Sequence, residues 1–329
     1  MAAVLTTANV SAQKSKSNKK KKPTKDNVIT ATSSDGEVVE FTIVDDSPDK
    51  LNKLYLGLDY AECEIGYPTM FLVKGALNAK YFVNNQFLLS SRFTYAYLDA
   101  STSLRTDEEK AENANLGMRP FHSADIGGIY MFASSQKTKN TNIVLSESSS
   151  GNTRTTTILK LPSRRIIYYG ARLGYYFQHN SVTGDIASDA DLDNFETQTS
   201  LYAVNTHSIY AGICLFNTRN IKVQSDKYGE SARSGFTQVF ADVLVAPSIK
   251  GKFYSKAGVD PFLDQPFIPL NDEIKGFSKT PIGARIGLEK LYYHKNIYQK
   301  FGIETGVRPG YSKLVNFYLA FHMGVGFTH

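Results

Sequence analysis

Hydrophobic residues in this chain fall on every second position over long stretches. The clearest case is 317–328, where Phe317, Leu319, Phe321, Met323, Val325 and Phe327 alternate with Tyr318, Ala320, His322, Gly324, Gly326 and Thr328. Successive side chains of a β-strand point to opposite faces, so this segment predicts a strand with one unbroken apolar face. It is about twice the usual ~5–6 residues of a soluble strand and matches the ~9–11 residues that cross a bilayer. The pattern recurs upstream. Leu54, Leu56, Leu58 and Tyr60 oppose Tyr55, Gly57, Asp59 and Ala61, and Val73, Leu77 and Tyr81 oppose Lys74, Asn78 and Lys80. Phe87, Leu89, Phe93, Tyr95 and Tyr97 face away from Arg92 and Thr94. Further apolar faces run through Ile167–Phe177, Ile209–Leu215, Val239–Val245, Ile282–Leu288 and Phe301–Val307.

The connections alternate as well. Short ones are expected after Val83, Phe216 and Val245, and long polar ones through 100–121, 179–200 and 258–279. With weaker strands near 123–134, 140–147, 154–161, 219–227 and 249–257, the expectation is about fourteen strands, or about twelve if 140–161 is a hairpin standing above the membrane and the poorly patterned 249–257 is not a strand. An even count keeps both termini on one side. In a soluble sandwich the apolar faces pack together and strands are about half as long. A closed barrel in a membrane turns its apolar face to lipid and leaves no backbone edge open.

The alternating final strand, with Phe327 next to the chain end, resembles the way outer-membrane β-barrel proteins finish. The aromatic style extends the resemblance, to the outer-membrane barrels common in Bacteroidota, over most of the chain from about residue 51. It implies an all-β, antiparallel transmembrane barrel over 51–329, with short periplasmic turns, long extracellular loops and a place in the bacterial outer membrane. It also implies contact with membrane lipid, and a porin-like channel or transporter for small polar or anionic solutes. The alternative is a closed structural or accessory barrel, a component of an envelope complex alongside other envelope proteins.

Composition sharpens this. No run is long enough for a transmembrane helix of ~18–20 apolar residues. Twenty Phe and twenty Tyr with no Trp suit strands and membrane interfaces, and Tyr60, Tyr81, Tyr95, Tyr97, Tyr175 and Phe177 are candidates for aromatic girdles. The net charge of +6 sits in a tail, because seven lysines between Lys14 and Lys25 leave the rest at −1. A nucleic-acid-binding body would carry that charge on its fold, so no nucleic-acid partner is expected. Residues 1–13 read as the remnant of an export signal: Ala2-Ala3-Val4-Leu5 is apolar, and Val10-Ser11-Ala12 offers small residues at a cleavage site. Residues 14–50 are then expected to be a basic, mostly disordered periplasmic segment or plug. Its Lys19–Lys22 run is either a solvated linker or a contact with anionic headgroups or cell-wall polymer. Cys63 and Cys214 match no metal motif and are expected to be unpaired.

Gly-x-Arg-x-Gly occurs three times, around Arg172, Arg285 and Arg308. At period 2 each triplet faces the predicted lumen, with Asp242, Glu289 and Glu304 as candidate partners. Together with Arg92 and His322 these residues either brace the barrel as salt bridges or form a basic constriction that selects anions, with Lys74 and Lys80 shaping the path. Asp189, Asp191 and Asp193 echo the start of a calcium loop, but Ser200 stands where the bidentate Glu belongs. A solvated acidic loop is the other reading. Outer-membrane lipases place His-x-Ser on one strand face. Here His207 is followed directly by Ser208 and His122 by Ser123, and the omptin-type Asp-x-His pair is missing. Neither enzymatic activity nor a cofactor is expected.

Overall fold

A computed structural model of the chain describes residues 5–13, 28–32, 38–66, 70–99, 121–150, 153–185, 199–255, 268–270, 279–311 and 317–329. Three strands lie in the N-terminal part: β1 (Leu5–Gln13), β2 (Val28–Thr32) and β3 (Val38–Asp46). The body contains β4 (Leu54–Gly66), β5 (Met70–Phe82), β6 (Phe87–Asp99), β7 (Phe121–Ser150), β8 (Thr153–Asp185), β9 (Thr199–Ser225) and β10 (Gly229–Ser255). Short β11 (Ile268–Leu270) and β12 (Lys279–Thr280) precede β13 (Ile282–His294), β14 (Ile297–Val307), β15 (Gly310–Tyr311) and β16 (Phe317–Thr328).

Ten strands close a ring in the order β4-β5-β6-β7-β8-β9-β10-β13-β14-β16, every neighbour antiparallel, with β16 pairing back onto β4. The stagger of this ring can be read from its ladders. From Ile282 the paired residues run through Val245, Ile209, Tyr175, Ile126, Ser91, Ala79, Leu56, Phe327 and Ile297. They return to β13 at His294, twelve residues on. That shear tilts the strands about 40° from the barrel axis and leaves about 20 Å between opposite backbones.

The alternating apolar residues face outward. Leu77, Leu173, Ile213 and Phe327 are 62–71% exposed, and Leu56, Phe93, Val243, Ile286 and Phe321 are also exposed. Soluble monomers rarely expose contiguous apolar patches beyond a few hundred Å², so this belt is a surface for lipid. From Phe87 to Tyr97, β6 rises ~33 Å along its length, or ~25 Å at that tilt, which is the height of an outer-membrane apolar band. Outward aromatics cluster at both borders. Tyr60, Tyr95, Tyr97 and Tyr175 mark one, with the Tyr97 hydroxyl donating to the Tyr60 carbonyl at 3.2 Å. Tyr81, Phe87 and Tyr130 mark the other, with Phe87 stacked on Tyr130 at 4.8 Å.

The turns at 83–86, 226–228 and 295–296 share the barrel end where β4 begins and β16 stops. At the first of these, Asn84 Oδ1 accepts from the backbone N–H of Gln86 and Phe87 at 2.8 and 2.9 Å, as the Asn-Asn-Gln sequence predicts. On this side the hairpins β7–β8 and β9–β10 continue past the ring. β8 and β9 stay paired as far as Ile166 and Thr218 and then part. β1, β2 and β3 fill the gap, with β1 parallel to β8 and β3 antiparallel to β9. The core of this lower unit is Ile29, Val39, Phe41, Ile143, Leu159, Leu161, Ile221 and Val223. The described part of segment 14–50 therefore belongs to a packed β-unit at the termini end.

This corrects the strand count. The strands expected near 140–147 and 154–161 are continuations of β7 and β8, and those near 219–227 and 249–257 are the ends of β9 and β10. The turn expected after Phe216 does not form, and where one was expected after Val245 a register shift accommodates Ala246-Pro247. Polar stretches such as Asn217-Thr218-Arg219-Asn220 look like turns because they mark where a strand leaves the ring. Buried parity changes there: Cys214, Phe216 and Thr218 point inward above the junction, Ile221, Val223 and Ser225 below it.

Candidate functional site

The barrel interior is built from the polar positions of the alternating strands. Of the predicted lumen residues, Arg172, Asp242, Arg285, Arg308 and His322 are buried, and Arg92, Glu289 and Glu304 line the interior half-buried. Lys74 and Lys80 join them, at 1% and 9% exposure. Asp189, Asp191 and Asp193 lie outside the described residues.

The charges are paired into separate clusters along the lumen. Arg285 donates to Asp242 at 2.9 Å and to Asp125 at 2.7 Å, and Arg172 approaches the other Asp242 oxygen at 3.3 Å. Arg308 grips both oxygens of Glu64, at 2.5 and 2.6 Å. Lys74 bonds Glu64 and reaches Glu62 at 2.9 Å. Arg92 spans Asp59 at 2.9 Å and Glu62 at 2.5 Å, while Lys300 donates to Asp59 at 2.8 Å. Lys80 pairs with Glu289. Hydroxyls finish the acids: Tyr210 donates to Asp125 at 2.9 Å and Tyr318 to Glu304. Buried charges persist in a low-dielectric interior only when paired and hydrogen-bonded in this manner.

Two sequence expectations change. Of the three proposed acidic partners only Asp242 holds Gly-x-Arg-x-Gly arginines, while Glu289 takes Lys80 and Glu304 takes Tyr318. Arg308 goes to Glu64, which the alternation pattern hides. A bulge at Tyr60-Ala61 shifts the register of β4 between Asp59 and Glu62 against both neighbours, so Glu62 and Glu64 turn inward although Asp59 does too. Asp59 and Lys300 were accessible to period-2 reading. Asp125 and Tyr210 were not, because their roles come from contacts across the lumen. Two of the triplet glycines seat neighbouring rings, since a Cβ at Gly174 would lie 2.4 Å from the Tyr210 ring and one at Gly287 2.4 Å from the Phe240 ring. Outside the triplets, one at Gly302 would lie 1.8 Å from His322 Nε2. The arginines then stack on aromatic faces, Arg308 on Tyr318 at 3.5 Å and Arg172 on Phe240 at 3.8 Å.

Toward the termini end the interior becomes aromatic. Tyr55, Phe82, Phe216, Phe236 and Tyr298 are all buried. Tyr55 on β4 meets Phe236 on β10 edge-on at 5.6 Å, and Phe82 on β5 meets Phe216 on β9 at 5.7 Å. These pairs span the ring, so the rings seal it. Above this floor a cavity of about 70 Å³ is lined by Lys80, Arg92, Asp125, Arg172, Glu289, Lys300, Glu304 and His322. Neither ring nitrogen of His322 is bonded within the protein. Cys63 and Cys214 are both free, on strands opposite each other in the ring.

His122 stacks on His179 at 4.6 Å, and the Tyr175 hydroxyl lies 2.5 Å from His207 Nδ1. Ser208 is buried and its hydroxyl is unbonded. Among the described residues no group of histidine, cysteine and acidic side chains is arranged to hold a metal ion.

No family model matches the chain, and no curated protein matches it significantly. Among solved structures it is similar to a KdgM porin at 11% identity and a TM-score of 0.23, covering 85% of this chain and 99% of that one. It is also similar to the TodX deltaS2S3 mutant, a monoaromatic hydrocarbon channel, at 14% identity and a TM-score of 0.20, covering 84% and 90%. A third is an anion-selective porin from Comamonas acidovorans, at 9% identity and a TM-score of 0.18, covering 85% and 99%.

Proposed function

We propose that the protein is an integral barrel of the bacterial outer membrane, closed across its interior at rest, which anchors the β1–β3 unit at the periplasmic face as part of an envelope assembly. The lipid-facing belt and the edge-free ring support membrane residence. The short turns and both ends of the ring lie on the side of the lower unit, which fits the periplasm. The observation that carries the closed state is the cross-lumen contact of Tyr55 with Phe236 and of Phe82 with Phe216. With about 20 Å between opposite backbones, inward Tyr, Phe and Arg side chains reach the axis and fill it.

A porin-like channel for small polar or anionic solutes is the second reading. It draws on the polar cavity above the floor, where His322 and the Arg172 Nη1 have no partner within the protein. Arg172, Arg285 and Arg308 would then act as its filter after the aromatic floor moves aside.

Conductance of the refolded full chain in a planar bilayer separates the two. The closed barrel gives no steady steps, and replacement of Phe216 and Phe236 by Ala introduces them. Steady anion-selective steps from the unaltered protein would overturn the closed reading in favour of the channel. Cross-linking from the lower unit in intact cells should capture envelope proteins. A clean absence of them would remove the assembly role.

A further inference from the structure

Just below the apolar belt, on the outer wall, three cations surround one tyrosine and a fourth lies beside them. In the ladders Arg219 of β9 and Tyr292 of β13 both lie opposite Gly235 of β10. Gly235 carries no side chain, and a Cβ there would meet the Leu291 carbonyl at 2.1 Å, so Arg219 and Tyr292 close over the gap at 5.3 Å. Arg233 and Lys290 approach the same ring from either side, at 5.4 and 4.9 Å. Arg165, next to the Ile166–Thr218 pair at the edge of the ring, continues the patch on β8.

Unlike the lumen arginines, these cations have no counter-charge paired with them among the described residues. Among the described residues none of the four forms a salt bridge. Arg165 and Arg233 donate instead to uncharged oxygens, to the Asn140 carbonyl at 3.2 Å and the Asn142 carbonyl at 3.0 Å. Asp46 is held by Arg164, and Asp45 accepts from the Asn220 amide. Arg219 lies past Leu215, the last lipid-facing residue of its strand. Burial, followed by the Arg233 and Arg165 charges, pushes it down to about 10. The sequence thus places repelling cations together, and among the described residues none of them meets an acid at salt-bridge distance.

We infer that this patch binds the phosphate of an anionic phospholipid in the adjoining leaflet, with the acyl chains lying along the belt above it. A headgroup fits better than a free anion because the patch is continuous with lipid-facing surface: two residues up from Lys290 is the exposed Leu288, and four up from Arg219 is Leu215. Tyr292 adds a ring that sits well at headgroup depth. The inference rests on the membrane reading above.

The test refolds the full chain into vesicles of equal phosphatidylglycerol and phosphatidylcholine, extracts it gently and counts retained lipids by native mass spectrometry. Folding is scored separately by the mobility shift on boiling. The unaltered barrel should retain phosphatidylglycerol preferentially. The double substitution Arg219→Gln with Arg233→Gln should lower that preference ~30-fold, at ~5-fold per charge. Arg219→Lys with Arg233→Lys should keep most of it. Equal retention of both lipids, or an undiminished preference in the folded Gln variant, overturns the site. So does displacement of phosphatidylglycerol by millimolar inorganic phosphate, which marks a free-anion site. Should the Gln pair not fold, Lys290→Gln and the comparison of the two lipids on the unaltered protein still decide. A chain that stays out of the vesicles altogether overturns the membrane reading with it.

Discussion

Arg308 donates to both carboxylate oxygens of Glu64, 244 residues away in sequence, at 2.5 and 2.6 Å, with Glu64 entirely buried. The contact joins the start of the ring to its last hairpin and ends a run of paired charges that passes through Lys74, Glu62, Arg92 and Asp59 to Lys300. Arg308→Met leaves Glu64 only Lys74, which Glu62 shares, and should cost ~3–5 kcal/mol, as removing one partner of a buried ion pair does. Adding Glu64→Leu should recover part of that loss. Urea unfolding in micelles measures both, and a single variant as stable as the parent would show that the pair contributes nothing.

The belt predicts an asymmetry to charge. Ile213→Arg and Leu319→Arg each place a guanidinium on the lipid face and should destabilise insertion by ~2–4 kcal/mol at mid-membrane. Partitioning between folded and unfolded forms in bilayers reads this directly. Assembly at the parent level would place those positions away from lipid.

Ring closure has a chemical test. Phe321 of β16 lies directly opposite the native Cys63 of β4. Phe321→Cys should therefore oxidise to a disulfide, since antiparallel partners sit at the ~4.5–5.5 Å Cα separation that disulfides accept. Mass spectrometry of the joined peptides identifies it. A folded barrel that resists cross-linking under oxidant would refute the β16–β4 register.

Gly302 is expected to be intolerant because of one neighbour. Gly302→Ala drives a methyl group into His322 and should cost ~1–3 kcal/mol by overpacking. His322→Ala should restore much of that stability in the double variant. A double variant no better than Gly302→Ala would point to backbone strain instead.

The lower unit should unfold separately from the ring. Phe41 is 1% exposed at its centre, and Phe41→Ala should remove ~3–5 kcal/mol from that core. Limited proteolysis is then expected to release the N-terminal strands while the boiling-dependent mobility shift of the barrel persists. Loss of both together would mean that the two parts fold as one.

Much of this architecture was legible. Strict alternation assigned the lumen side of Arg92, Arg172, Arg285, Arg308 and His322 and the outer side of Leu58, Phe93, Ile213 and Phe321. Period 2 depends only on the pleat, so it survives ignorance of everything else. The candidate site was half-visible. Its arginines stood out through their flanking glycines, whereas Glu62 and Glu64 were concealed by a single bulged position.

The sequence alone determined long strands with outward and inward faces and no run long enough for a membrane-spanning helix, because both follow from local periodicity and composition. The antiparallel barrel was what the resemblance to outer-membrane proteins implied. The tertiary structure decided the rest. On β9, Ile213 and Ile221 belong to the same apolar alternation, yet one meets lipid and the other fills a protein core. Alternation records that a face avoids water and cannot record what covers it. Strand number, the partners of each lumen charge and the aromatic seal likewise depend on where β8 and β9 part and on which side chains meet across the ring. Those are long-range contacts that no local pattern encodes.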